Sequence, residues 1–199
     1  LTAPYRDRIY ASVKSLSVAR DDQGVTLRLE GSAPLRFDEV VFACPGREAL
    51  MALESPTVEE RAILAEFETT PNEAVLHTDS AVLPSRPWAR ASWNYRVGPD
   101  SSRRATLTYH MNRLQNLDTA EDYCVSLNDD GLVNAARVMR RMTYLHPLYT
   151  TGAIRAQNRW ERISGRNRTH YSGAYWFYRF HEDGLNSAIR VAKSLGVER

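Results

Sequence analysis

Hydrophobic and polar positions alternate most cleanly over 25–29, where Thr26 and Arg28 separate Val25, Leu27 and Leu29. A period of two predicts a strand with one polar face. The run before it, 12–20, carries Val13, Leu16 and Val18 and predicts a first strand. Asp21-Asp22-Gln23-Gly24 joins the two, because Asp and Gly supply turn conformations. A second turn at 30–34 leads into 35–44, where Val40-Val41-Phe42-Ala43-Cys44 is continuously apolar. That pattern predicts a strand buried on both faces.

Two helical segments follow, a short one at 47–53 and one at 57–67. In the second, Thr57 has Glu60 three residues on, the spacing of a capping box. The texture changes at Pro71. Short strand-like runs at 74–78, 91–97, 105–111 and 123–127 are divided by Pro84, Pro87, Gly98-Pro99 and a turn at 128–131. The stretch 132–168 holds one predicted helix around 156–163. An aromatic strand from His170 then passes through Glu182-Asp183-Gly184 into a helix. Leu185, Ala188, Ile189, Ala192 and Leu195 form its apolar stripe, and Gly196 caps its end. The pattern predicts an α+β fold with a mostly antiparallel sheet. It divides into a meander with helices (1–70), an inserted second layer (71–165), and a terminal strand and helix that return to the first part (166–199).

Composition narrows the class. The 199 residues are 43% hydrophobic and 25% charged, ordinary for a globular protein. No apolar run approaches the roughly 20 residues of a membrane span, and no signal peptide is visible, so no integral membrane segment is expected. Cys44 and Cys124 are far apart and lack metal-ligand spacing, which favours a reducing, cytoplasmic setting. Leu1 is not methionine, so the chain reads as processed or excised from something longer. Arginine outnumbers lysine, which occurs only at Lys14 and Lys193. Between Gly131 and Phe180 nine arginines face one acid, Glu161. Such a block suits an anionic ligand or a solvated face; with no nucleic-acid motif, no nucleic acid is expected.

Catalytic signals are sparse. His77, His110, His146, His170 and His181 are scattered, and no G-x-S-x-G elbow surrounds a serine. No histidine pair at metal-ligand spacing occurs, so no metal is expected. A G-x-G-x-x-G loop is absent, which argues against independent dinucleotide binding. Two features remain. A strand feeding a helix through Glu182-Asp183-Gly184 offers backbone N–H groups and a positive dipole end to an anion, with Gly184 permitting close approach. Equally, Asp183 can simply cap a packed helix. Among aromatic and amide residues, Trp93, Asn94, Tyr109, Asn112 and Gln115 have the make-up of a small-molecule pocket. An aromatic core with surface amides reads the same way.

Five ordered blocks carry a family resemblance: FDEVVFACPGREALMAL (37–53), VLHTDSAVLPSRPWARASWNY (75–95), TYHMNRLQNL (108–117), HPLYTTGAIRAQ (146–157) and SGAYWFYRFHEDGLNSAIRVAKSLG (172–196). The chain resembles the C-terminal half of flavin-containing amine oxidoreductases, in the bacterial branch described as predicted NAD/FAD-binding proteins. The resemblance implies that the meander and terminal helix belong to a split FAD-binding domain, with a substrate-type domain inserted between them. It places Val13 near the adenine side, and Ala43, Cys44 and Pro45 beside the cofactor. It sets a strand through Gly173, Ala174 and Tyr175, with the helix start Glu182, Asp183, Gly184 and Leu185, at the flavin or its pyrophosphate. The implied partners are a missing N-terminal half and a small-molecule or lipid-like substrate. The implied chemistry is hydride removal by FAD, held weakly or not at all by this chain alone. Two residues depart from the family pattern: Arg179 and Ala188 stand where glycine is usual. Arg179 is expected either to block the flavin or to reach toward phosphate.

Overall fold

A computed structural model describes residues 2–13, 16–97, 106–129 and 131–197. The elements in chain order are β1 (Leu16–Asp21), β2 (Gly24–Leu29), β3 (Leu35–Phe37), β4 (Val40–Phe42), α1 (Gly46–Ala52) and α2 (Val58–Leu64). Next come β5 (Thr69–His77), β6 (Trp93–Arg96), β7 (Thr106–His110), α3 (Met111–Gln115), β8 (Cys124–Leu127) and β9 (Val138–Pro147). The chain closes with α4 (Thr151–Gln157), β10 (Thr169–Tyr171) and α5 (His181–Ser194). They form two compact units, one of Leu1–Glu68 with Pro147–Arg199 and the other of Thr69–His146. The inserted unit therefore ends before 165: residues 147–165 fold with the first unit. No helix among the described residues is long and apolar enough to cross a membrane.

In the first unit, β1, β2 and β3 form the expected antiparallel meander. The Asp21 carboxylate accepts from the N–H of Gln23 (2.8 Å) and Gly24 (3.0 Å), closing the turn. It also pairs with Arg36, which holds its pKa down at about 2. Gly24 has φ +155°, and a Cβ there would lie 2.5 Å from the Phe37 carbonyl oxygen, so only glycine fits. The first strand starts later than expected, at Leu16: Val13 is exposed and irregular, and Lys14 and Ser15 lie outside the described residues.

β4 and β10 run parallel, pairing Val40 with Thr169 and Phe42 with Tyr171. Phe42 is 4% exposed but Val41 is 44% exposed, so β4 is buried on one face only, contrary to its continuous apolar run. The core of this unit combines Val18, Val25, Phe42, Ile63, Leu64, Phe67, Trp160, Tyr171, Trp176 and Val191. Within it lies a charged pair. Arg20 donates to both carboxylate oxygens of Glu60, to Thr169 Oγ1 (3.1 Å) and to the Ser55 carbonyl (3.0 Å). Tyr171 Oη donates to Glu60 Oε1 (2.8 Å), and the Thr57 N–H donates to Oε2 (2.7 Å). Glu60 N–H returns a bond to Thr57 Oγ1, completing the expected capping box.

Two expectations fail near the end of the chain. The helix expected at 156–163 is α4, capped by Thr150 Oγ1 accepting from Ala153 N–H, followed by a 3-10 turn at Trp160–Arg162. The apolar stripe of α5 is not its buried face. Ser187 and Val191 are buried, whereas Leu185 and Leu195 are 50% and 44% exposed.

The second unit is a five-stranded sheet in the order β6-β7-β8-β5-β9. β6, β7, β8 and β5 pair antiparallel, with Tyr109 opposite Trp93 and Val125, and Thr108 opposite Asn94 and Ser126. The expected strand at 105–111 is β7; Ala105 and the Gly98-Pro99 turn lie outside the described residues.

Removing one partner of a buried pair strands the other charge, which costs about 3–5 kcal/mol. Glu60→Gln is expected to lower urea stability by that order. Burial pushes the Glu60 pKa up, but the bonds from Arg20, Thr57 and Tyr171 hold it below its ordinary 4.5. A depressed folded pKa gives stability that is present above the unfolded value and lost as pH falls through the folded one. Urea midpoints against pH should therefore show a constant gap between wild type and variant down to about 4.5, narrowing below it. A gap independent of pH would contradict this.

Candidate functional site

Because β4 and β10 are parallel, the segments that follow them leave the ladder at the same end. Ala43, Cys44 and Pro45 emerge beside Ser172, Gly173 and Ala174, and the Ser172 N–H still bonds the Phe42 carbonyl at 2.8 Å. Carboxyl ends of parallel strands are where open α/β sheets bind ligands. The α5 start reaches the same place: Gly173 N–H donates to Ser187 Oγ (2.9 Å), and a Cβ on Gly184 would meet only the Ala174 Cβ, at 4.0 Å. Of the residues expected at a cofactor, this gathers Ala43, Cys44, Pro45, Gly173, Ala174 and Gly184. Val13 is an exposed residue ahead of β1.

The segment differs locally from expectation. Gly173, Ala174 and Tyr175 do not form a strand; β10 stops at Tyr171, and Ala174–Trp176 is a 3-10 turn. Gly173 has φ +153°, and a Cβ would strike the Tyr175 ring at 2.5 Å, so this glycine serves the turn's own packing. Tyr175 is buried edge-on against Phe67 (4.7 Å between ring centres). Asp183, Glu182 and Gly184 lie inside the first turn of α5. Asp183 accepts from the Phe180 N–H (2.9 Å), the capping role, while Glu182 and Leu185 are exposed. Burial raises the Cys44 thiol pKa, with help from Glu48, and lifts Cys124 to about 11. Both thiols stay protonated at neutral pH and are poor nucleophiles.

Arg179 neither protrudes nor reaches outward. Its guanidinium lies 4.2 Å over the Tyr149 ring, and Nη2 donates to the Leu148 carbonyl (2.8 Å). Tyr149 Oη donates back to the Tyr178 carbonyl (2.7 Å), so the two loops strap each other. Gln157 adds bonds to the Tyr175 and Phe177 carbonyls. The sequence offered no signal for this strap, because its halves are about 30 residues apart and joined only by folding.

In the second unit, strand alternation divides the expected substrate cluster. Trp93 and Tyr109 stack edge-on on one sheet face (5.9 Å). Asn94 faces the other way, into a cavity of about 350 Å³ lined by Thr106, Thr108, Ser126 and Val133. Its amide is already engaged with Ala91 and the Thr108 carbonyl. Asn112 is also spent, on Thr119, the Glu121 carbonyl and the Tyr123 N–H. Gln115 is exposed at the end of α3.

Behind this cavity is a cluster the sequence did not reveal. His77 Nε2 lies 2.9 Å from Ser126 Oγ, which lies 2.7 Å from Thr108 Oγ1. The Asp79 N–H donates to His77 Nδ1 (3.1 Å), so the ring proton sits on Nε2 and points at Ser126. His77 thus cannot take the Ser126 proton, and burial lowers its pKa so that it stays neutral. Next to it His110 bonds Asp122 (2.9 Å), which also pairs with Arg90. These are structural bonds. Among the described residues no three or more His, Cys, Asp or Glu side chains cluster to hold a metal ion.

No protein-family model matches the chain, and no curated protein sequence matches it. Solved structures do. A CLA-producing fatty acid isomerase from P. acnes matches with a TM-score of 0.64 at 13% identity, over 92% of this chain and 47% of that one. A reduced UDP-galactopyranose mutase matches at 0.60 and 11% identity, over 94% and 47%. A cyclohexylamine oxidase from Brevibacterium oxydans IH-35A matches at 0.56 and 13%, over 92% and 48%. The chain therefore spans about half the length of the structures it matches. At these identities the likeness shows the fold, a mixed α+β architecture with antiparallel sheets and a C-terminal helix.

Arg179 holds a left-handed backbone, φ +73°, which costs a residue with a Cβ about 1–2 kcal/mol. Arg179→Ala keeps that strain and loses the strap, whereas Arg179→Gly loses the strap but relieves the strain. Chemical denaturation should find the glycine variant more stable than the alanine variant by about 1 kcal/mol. Equal stabilities would mean the loop relaxes away from this conformation.

Proposed function

We propose that this chain is the C-terminal part of an FAD-dependent, amine-oxidase-like oxidoreductase, completed by an N-terminal nucleotide-binding half. The observation that carries it is the β4–β10 ladder. Two parallel strands rarely stand alone, because parallel sheets are covered on both faces and extended by further strands. Here the ladder has two strands, Val41 is half-exposed, and the apolar stripe of α5 lies uncovered. A βαβ segment adding strands to this ladder and packing on that stripe satisfies both. The half-length likeness to amine oxidases, an isomerase and a mutase supports the same reading.

The residues at the ladder's carboxyl end fit a flavin nucleotide. Gly184 leaves backbone open at the start of α5, and Arg179 keeps two nitrogens without partners. FAD, when bound, would accept a hydride from a C–N or C–C bond of a small or lipid-like substrate. This chain's part is positioning. Ala43, Cys44 and Pro45 form one wall; Gly173, Ala174 and the α5 start form the other; Tyr175, packed on Phe67, backs them and excludes water. Taken by itself, the inserted unit carries an apolar pair on one sheet face, the exposed Trp93 edge-on against Tyr109. Neither thiol is an activated nucleophile, and His77, neutral with its proton toward Ser126, is not a free general base toward it.

A second reading, a non-catalytic module that has lost flavin, is favoured by one observation. The amides of Asn94 and Asn112, expected to orient a substrate, are already consumed within the unit, by Ala91 and the Thr108 carbonyl and by Thr119, Glu121 and Tyr123.

The test is FAD titration of the chain alone and of a longer protein carrying a glycine-rich nucleotide-binding segment ahead of it. Flavin should bind the longer protein tightly, with visible absorbance after desalting, and bind the chain alone at least 100-fold more weakly, a difference of about 2.7 kcal/mol. A longer protein that returns colourless after reconstitution favours the non-catalytic module.

A further inference from the structure

On the sheet face opposite Trp93 and Tyr109, the strands β6, β7 and β8 do not fully meet the chain that covers them. A cavity of about 350 Å³ remains between them and Val82, Pro84, Leu132 and Val133. Native interiors are close-packed, and voids of this size are few. The floor is polar, and its protons can be counted. His77 Nε2–H donates to Ser126 Oγ, since Nδ1 accepts from the Asp79 N–H. Ser126 is 1% exposed, and the acceptor within reach of its own proton is Thr108 Oγ1, at 2.7 Å. The Thr108 proton then has no acceptor among the described residues, and Thr108 lines the cavity. One unspent donor is thus held at the floor by a chain of bonds that begins at a backbone N–H.

A second donor stands at the mouth. Arg96 is exposed there, gives Nη2 to the Val82 carbonyl (3.3 Å), and has no carboxylate within ion-pair distance among the described residues. It lies opposite Thr106 in the β6–β7 register, so Thr108 is its diagonal neighbour on the same face, within reach of a long side chain. The wall contains one carboxylate, Asp129, whose side chain is 0% exposed. Its Oδ1 accepts from the Leu132 and Val133 N–H groups, and Arg141 Nη2 offsets Oδ2 from 3.6 Å. The groups left for a ligand are therefore donors, one of them charged, beside apolar wall. We propose that this cavity binds a small carboxylate with a short apolar body. The carboxylate takes the Arg96 fork and the Thr108 hydroxyl, and the body lies on Val82, Pro84 and Leu132. A guanidinium fork matches carboxylate geometry, and apolar walls with few placed polar groups are the usual make-up of a small-molecule site. The cavity belongs to the inserted unit alone, so it stands or falls apart from FAD binding by a longer protein.

Butyrate, butyramide and butylammonium share an apolar chain and differ in the head group. Each is titrated into the 199-residue chain at matched ionic strength, with the backbone amide resonances of Thr106, Leu132 and Val133 as the readout. Saturable shifts are expected for butyrate with millimolar affinity, about tenfold weaker for butyramide, and none for butylammonium. Arg96→Gln should weaken butyrate about tenfold and leave butyramide unchanged, whereas Thr108→Val should weaken both about two- to fivefold. Leu132→Trp, at a position 46% exposed, fills the cavity and should abolish binding of both. A cavity that holds water only gives no saturable shift of these amides at about 50 mM butyrate, and that result overturns the proposal. So does butyramide binding as tightly as butyrate, or shifts gathered instead around Trp93 and Tyr109.

Discussion

The Arg20–Glu60 pair organises the first unit. Its side chains are 8% and 2% exposed, and its bonds gather β1, the start of α2 and β10 from positions 40 to 149 residues apart. A buried ion pair adds little stability by itself, since desolvation consumes most of the attraction. What it adds is direction. The Glu60 carboxylate receives Arg20, Tyr171 Oη and the Thr57 N–H together, so α2 and β10 can seat in one register without leaving a charge unpaired.

That seating has consequences downstream. With Tyr171 fixed, β10 lies parallel to β4, and the chain after each strand leaves at the same end. Residues 43–45 and 172–174 converge there although more than 120 residues separate them. The following turn is locked by Gly173 and Tyr175, and Ser187 draws α5 in through the Gly173 N–H. The candidate site is thus a product of strand direction more than of any catalytic side chain.

The second unit distributes polarity in an unusual way for a sheet. Its buried face carries Thr106, Thr108, His110, Ser126 and His77, while aromatic residues occupy the half-exposed face. Burying hydroxyls and imidazoles is tolerable because each side chain finds at least one partner on or beside a neighbouring strand, although His110 Nδ1 has none. The aromatic face has no such internal use. On it Trp93 packs edge-on against Tyr109.

Short-range chemistry was legible in the sequence. The Asp21–Gly24 turn, the Thr57/Glu60 capping box and the Gly196 cap each appear as read, because their donors and acceptors lie within a few residues of one another. The α+β class followed from the same periodicities. Only the tertiary structure decided which side of α5 is buried, that β4 is covered on one face, that Gly173–Tyr175 turns and does not extend, and that Arg179 folds back on Tyr149. Periodicity marks an apolar face but not the surface that covers it. A charged side chain likewise carries no record of a partner 30 or more residues away. Those choices are made when desolvated groups must be satisfied together, which happens only in the assembled core.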